Sequence, residues 1–286
     1  MREYRITELA YKYVNYDMIH TYTELPPLSE PRLRLLSAVL NESDHADNSE
    51  LYALVTSLVQ LGMDTHDRID SSTTGRSELE MRSTQLKVLA GDYFSTRFYQ
   101  LLAQQGQISM IASLSAAVCD VNRLKIDFYT KRKRNELTTE EYFSYRVKIK
   151  SQMFLQYGEL LKGTTARLWP QLLLGISRCE AIVEELEDAR HPERVTNSWA
   201  YWHLQQAASE QEQQLLQKAQ PEQIYALLVQ HAIVQQLKSR MDDALSEVQT
   251  AIRKLESEGL AAELLAITDS LRTKSLLFIP ALNETR

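Results

Sequence analysis

Helix breakers are scarce in this sequence. Eight glycines and seven prolines stand among 286 residues, and four of the prolines (Pro26, Pro27, Pro31, Pro280) lie near the ends. Long stretches therefore run without interruption, and β-branched runs are few, so strands are disfavoured. Cysteine is nearly missing. Cys119 and Cys179 each sit in an apolar helical pattern and read as small buried hydrophobes, which leaves no disulfide framework and no cysteine metal site. An excess of positive charge is lacking too: the net charge of -6 argues against a general nucleic-acid binder. The one basic cluster, Lys131 to Arg134, follows an apolar helix, where cations suit the negative pole of the macrodipole. No stretch approaches the ~20 apolar residues that span a bilayer. No apolar run follows Met-Arg-Glu-Tyr-Arg at the N-terminus, so no signal peptide is read and a cytoplasmic protein is expected.

What is present is helical periodicity. Apolar residues make up 44% of the chain and charged residues 24%, enough for a sizeable core. Leu51, Leu54, Val55, Leu58, Val59 and Gly62 mark one helix face running towards His66. Leu86, Leu89, Ala90, Tyr93, Phe94, Phe98 and Leu101 mark another, rich in aromatics. A long stripe starts at Ile224, just after Pro221, and continues through His231, Val234, Leu237 and Met241 to Leu255. Proline suits a helix start, where its missing N–H costs nothing. Thr138-Thr-Glu-Glu141 reads as a capping box. The expectation is all-α: a single-domain bundle of about ten helices over 30–286, preceded at 1–29 by a helix and a Pro-rich connection. His20, His45, His191, His203 and His231 show no metal-ligand spacing, and His231 reads as a core histidine.

The segment Leu86-Lys-Val-Leu-Ala-Gly-Asp-Tyr-Phe-Ser-Thr-Arg-Phe-Tyr-Gln-Leu-Leu-Ala103 resembles the helix of trans-isoprenyl diphosphate synthases that begins "VLAGDYLFARAFELLA". Three further matches follow the family's order. Thr65-His-Asp-Arg-Ile-Asp70 is similar to the first aspartate-rich motif, "HDDVID". Glu140-Glu-Tyr, then Lys150-Ser151 and Gly158 to Gly163, is similar to "EEYLxxxxxKT…LGAxLAG". Ile182-Val-Glu-Glu-Leu-Glu-Asp188 is similar to the second motif, "IVDDLLD". The resemblance runs over roughly residues 30–275.

It implies a chemistry in which diphosphate leaves an allylic carbon, held by Mg²⁺ between two acidic helix ends and by Lys and Arg grips. This chain departs from that pattern. In the first motif Asp67 and Asp70 remain, but His66 stands where the leading aspartate is expected and Arg68 adds a cation; neutral imidazole is a poor Mg²⁺ ligand. In the second, Glu184, Glu185 and Asp188 keep the charge on longer arms. "GGKRLRP" reads Glu30-Pro-Arg-Leu-Arg-Leu35, which leaves Arg32 and Arg34, with Lys150, as residual phosphate contacts. The "RRG" grip reads Thr73-Thr74-Gly75, and a hydroxyl does not replace a bidentate guanidinium. At ~2–4 kcal/mol for each lost grip, two or three losses remove about 10⁴-fold or more in rate.

A retained "LAGDYF" helix beside decayed ligands resembles component I of the two-component heptaprenyl diphosphate synthases. That resemblance implies no catalytic residue and no metal on this chain, with Mg²⁺ in the active site of a catalytic component II. The expected partner is that component, in a heterodimer that elongates farnesyl diphosphate with isopentenyl diphosphate, sets product length and supplies the menaquinone side chain. Gly91, Asp92, Tyr93, Phe94, Phe98 and Tyr99 are the candidate contacts. Leu58, Leu61 and Gly62, just upstream of the first motif, are the candidate tunnel residues. Two alternatives stay open: a self-sufficient prenyltransferase or terpene synthase with degenerate motifs, and a helical adaptor unrelated to prenyl chemistry.

Overall fold

A computed structural model describes residues 4–69, 77–218 and 220–277. Among them the chain forms thirteen α-helices and no strand, three helices more than the periodicity predicts. They group into two compact units.

The first unit contains α1 (Ile6–Val14), α2 (Asp17–Tyr22), α3 (Glu30–Asn41), α4 (Ser49–Asp67), α5 (Glu78–Gln104) and the beginning of α6 (Ile108–Lys133). It is centred on α4, which packs against α1, α3 and α5. A helix surrounded on all sides must be apolar all round, and Tyr52 to Val59 are buried without a gap. Residues 4–29 are built into this unit: Ile6 and Ala10 are buried, and Leu9, Tyr13, Ile19 and Leu25 pack on the cluster of Leu54, Leu58, Leu61, Ala90 and Phe94. The unit also takes back a short 3₁₀ turn, Gln156–Leu160. There the buried hydroxyl of Tyr157 lies 2.6 Å from Thr56 Oγ1.

The rest of α6 belongs to the second unit, with α7 (Thr139–Leu155), α8 (Gly163–Asp188), α9 (Trp199–Ala207), α10 (Glu210–Lys218), α11 (Pro221–Gln230), α12 (Ile233–Ile252) and α13 (Glu258–Leu276). Here α8 is central, against α7, α12 and α13. The capping box at the start of α7 is formed: the backbone N–H of Thr138 donates to Glu141 at 3.0 Å, and that of Glu141 donates to Thr138 Oγ1 at 3.1 Å. Lys131, Arg132 and Lys133 fill the last turn of α6.

Three expectations are corrected. The stripe from Ile224 is two helices, because Ala232 takes a left-handed conformation (φ 50°) between α11 and α12. The phase slips with it, so Ile233 is buried in place of Val234. Cys119 is exposed on α6, and only Cys179 is buried. His231 is half-buried, its Nε2 3.5 Å from a Glu212 carboxylate oxygen.

Candidate functional site

The first acidic motif ends α4. Thr65 Oγ1 donates to Leu61 O at 2.6 Å, and the helix closes at Arg68, whose N–H bonds Thr65 O. His66 does not point outward as a ligand would. Its Nε2 lies 3.3 Å from Asp92 Oδ1 on α5, and a Cβ added to Gly91 would come within 2.5 Å of the same nitrogen. The glycine and aspartate of the "LAGDY" helix thus seat the histidine. One turn earlier, Gly62 permits the same close approach, since a Cβ there would meet Ser95 Oγ and, at 2.9 Å, the carbonyl oxygen of Gly91. Gly62 therefore adds no tunnel space: α5 fills it. Leu58 and Leu61 are buried beside it in the core cluster. Asp67 is exposed, while Asp70, Thr73 and Thr74 lie outside the described residues.

The residual grips are also turned inward. Pro31 opens α3, where its fixed φ suits the first turn. Arg32, one residue on, is 2% exposed. Its guanidinium reaches the side-chain amide of Gln60 on α4, 2.8 and 3.2 Å from the oxygen when that amide is oriented to accept. Arg34 is half-buried.

In the second unit, Tyr142, Arg146 and Lys150 recur every four residues along α7 and so share one face. That face meets the acidic end of α8. Arg146 Nη2 lies 2.8 Å from Glu184 Oε2, and Lys150 Nζ lies 2.5 Å from Glu184 Oε1. Glu185 is buried. It accepts from the Tyr142 hydroxyl at 3.1 Å and from the backbone N–H of Trp199, the first residue of α9, at 2.6 Å. Arg146 Nε stands 3.6 Å from it. Burial pushes the Glu185 carboxyl up to about 7, against the opposing pull of Arg146 and the Trp199 N–H. Asp188 is also raised, chiefly by burial, with Arg194 Nη1 3.9 Å away. The Tyr142 hydroxyl also lies 2.9 Å from Asn197 O, so its one proton is shared between that carbonyl and Glu185.

Sequence reasoning singled out Glu184, Glu185, Asp188 and Lys150 but missed Tyr142 and Arg146, and it gave Trp199 no role beyond packing. The four-residue spacing along α7 was visible; which helix it faced was not. The Trp199–Trp202 segment also gains a role, because the buried indoles of Trp199 and Trp202 anchor the helix whose first N–H caps Glu185.

These carboxylates do not fit Mg²⁺, which wants several anionic or carbonyl oxygens in near-octahedral array. Both oxygens of Glu184 face protein cations, and both of Glu185 accept protein hydrogen bonds. Among the described residues no group of three or more His, Cys, Asp or Glu side chains is disposed to hold a metal. A cavity of about 480 Å³ does open in the second unit, between α7, α8 and α12, flanked by the pairs Arg178–Glu247 and Arg240–Glu140. None of the sequence-predicted site residues lines it.

On α5, Phe94 and Phe98 are 0% and 3% exposed. The expectation that both face a partner is corrected: they fill this chain's own core. Gly91 is buried and Tyr93 half-buried, its ring under the Arg97 guanidinium at 4.7 Å. Asp92 and Tyr99 are exposed.

Comparison with known proteins finds the same fold elsewhere. The fold is similar to those of geranylgeranyl pyrophosphate synthases from Lactobacillus brevis (TM-score 0.71, 16% identity, 93% of this chain and 94% of that one) and Pyrococcus horikoshii (0.68, 14%, 93% and 94%). It is similar as well to that of octaprenyl pyrophosphate synthase from Helicobacter pylori (0.65, 17%, 92% and 97%). In sequence, a stretch of 75 residues is 39% identical to heptaprenyl diphosphate synthase component 1 of Geobacillus stearothermophilus, covering 26% of this chain. The match spans about a third of that relative's length (32%). Among the described residues no helix is long and apolar enough to cross a membrane. The family described as heptaprenyl diphosphate synthase (HEPPP synthase) subunit 1 matches residues 16–253, and the chain belongs to it.

Proposed function

We propose that this chain is the non-catalytic, regulatory subunit of a cytoplasmic heterodimeric heptaprenyl diphosphate synthase. Its partner, the catalytic component II, binds Mg²⁺ and elongates farnesyl diphosphate with isopentenyl diphosphate. This chain is required for that activity and for product length, and the product supplies the menaquinone side chain. The observation that carries the reading is the occupied second motif. Departure of diphosphate needs cations and donors aimed at the developing charge. Here Arg146 and Lys150 are aimed at Glu184, and Arg32 is buried against Gln60. The exposed Asp92 and Tyr99 on α5 are the surface we assign to the partner.

The test is a three-way assay of isopentenyl diphosphate incorporation: this chain alone, the catalytic chain alone, and the mixture. The expected result is polyprenyl diphosphate from the mixture only. Product from this chain alone, at a rate comparable with the mixture, would reject the proposal in favour of a self-sufficient synthase.

A further inference from the structure

The acidic end of α8 has been given counter-charges by the protein itself. Glu184, Glu185 and Asp188 lie within little more than one helical turn and would repel one another unaided. Three cations face them: Arg146 at 2.8 Å from Glu184 and 3.6 Å from Glu185, Lys150 at 2.5 Å from Glu184, and Arg194 at 3.9 Å from Asp188. Glu187, the fourth carboxylate of this helix end, has Arg190 Nη1 3.6 Å away, so four carboxylates against four cations leave no net negative charge to attract a divalent ion, and protonation of Glu185 would leave still less. Mg²⁺ also sheds water reluctantly. To bind here it would have to displace a guanidinium and an ammonium from Glu184, or a tyrosine hydroxyl and a helix-terminal N–H from Glu185.

We propose that this cluster is a metal-free clasp: Arg146 and Lys150 of α7, and the first N–H of α9, hold the end of α8 in the place of a divalent cation. The three elements it joins come from separate parts of the second unit: α7 through Arg146 and Lys150, α8 through Glu184 and Glu185, and α9 through Trp199. A clasp makes the arrangement permanent, where a metal site would form it only on loading. The inference concerns this chain's own residues and does not require that a partner exist.

A clasp and an empty metal site predict opposite signs for one substitution. Carboxylates waiting for a metal repel one another, so neutralising one stabilises the metal-free protein. Carboxylates already paired lose their partners when neutralised. The purified full chain, stripped with EDTA, is therefore compared with Glu184→Gln and Lys150→Gln by thermal unfolding, and Mn²⁺ binding to wild type and E184Q is followed by the EPR signal of free Mn²⁺. The expected result is a Tm lower by about 2–4 °C in each variant, with no Mn²⁺ binding that depends on Glu184. A higher Tm for E184Q in EDTA, or saturable Mn²⁺ binding by wild type that E184Q abolishes, would overturn the clasp. Should E184Q fail to fold, the wild-type Mn²⁺ titration still decides: saturable binding overturns the clasp, and its absence supports it. A chain that binds Mn²⁺ through Glu184 yet makes no product alone would sink the clasp and leave the partner reading standing.

Discussion

Gly62 and Gly91 stand where α4 and α5 touch, and the consequences of filling them differ. At Gly91 a methyl would press on the tip of the His66 ring, which is part-exposed and able to move. At Gly62 it would press on Ser95 Oγ and on the backbone oxygen of Gly91, which cannot move without the helix. Overpacking costs about 1–3 kcal/mol, partly offset by the ~1 kcal/mol that alanine gains over glycine in a helix. Urea denaturation should therefore find G62A clearly destabilised and G91A close to wild type; the reverse order would contradict this account of the contact. Glu185 gives a second residue-level expectation. Its carboxyl is raised from the ordinary 4.5 to about 7 by burial, so between those values the folded chain holds a proton that the unfolded chain has released. The group's contribution is present below about pH 4.5 and is lost as pH rises through 7. E185Q keeps an acceptor for the Trp199 N–H but cannot titrate. Its Tm, relative to wild type, should rise steadily from about pH 5 to about pH 8, and a difference that stays flat over this window would count against the buried-carboxyl assignment. Neither residue could be placed from sequence: a glycine in a helical stripe and a glutamate in an acidic run look alike whether they face a helix, a cavity or solvent.

At the scale of elements, α5 carries two faces under one pattern. Its aromatic stripe was legible, and so was its likeness to the interface helix of the prenyl synthases, yet the stripe serves the core at Phe94 and Phe98 and solvent at Tyr99. F94A should cost about 3–5 kcal/mol, as large-to-small changes in a core do, and would lower activity of the mixed enzyme through unfolding alone. Y99A is the cleaner probe, since Tyr99 is exposed and loses a tilted ring contact with Phe98 and its contact with Ser115 Oγ. Its Tm should move by a degree or two, while the concentration of this subunit needed for half-maximal activity in the mixture rises. A mixture indifferent to Y99A would remove Tyr99 from the partner surface. The break between α11 and α12 shows the limit of periodicity: one left-handed residue, Ala232, shifts the buried register without disturbing the spacing of apolar residues enough to be noticed.

Considered as a whole molecule, the chain keeps a catalytic family's scaffold while its acidic and basic side chains bind one another. Under the proposed function, binding of the catalytic subunit stabilises this chain by mass action, by about 2.7 kcal/mol at a hundredfold excess over Kd. Adding the catalytic subunit should therefore raise the unfolding temperature of this chain in a concentration-dependent way, followed by tryptophan fluorescence at Trp169, Trp199 and Trp202, all buried. An unfolding temperature unmoved by a large excess of the catalytic chain would argue against a stable complex.

The sequence alone determined the helical class and the likeness to the prenyl synthases, because these depend on local spacing and on short runs that keep their order. What only the tertiary structure decided is which charges meet. Tyr142, Arg146 and Trp199 reach Glu184 and Glu185 from 14 to 43 residues away, and His66 turns onto Gly91 because two glycines let α4 and α5 approach. Pairing across such separations depends on how helices pack, and no periodicity along one helix specifies the neighbour against which its charged face will lie.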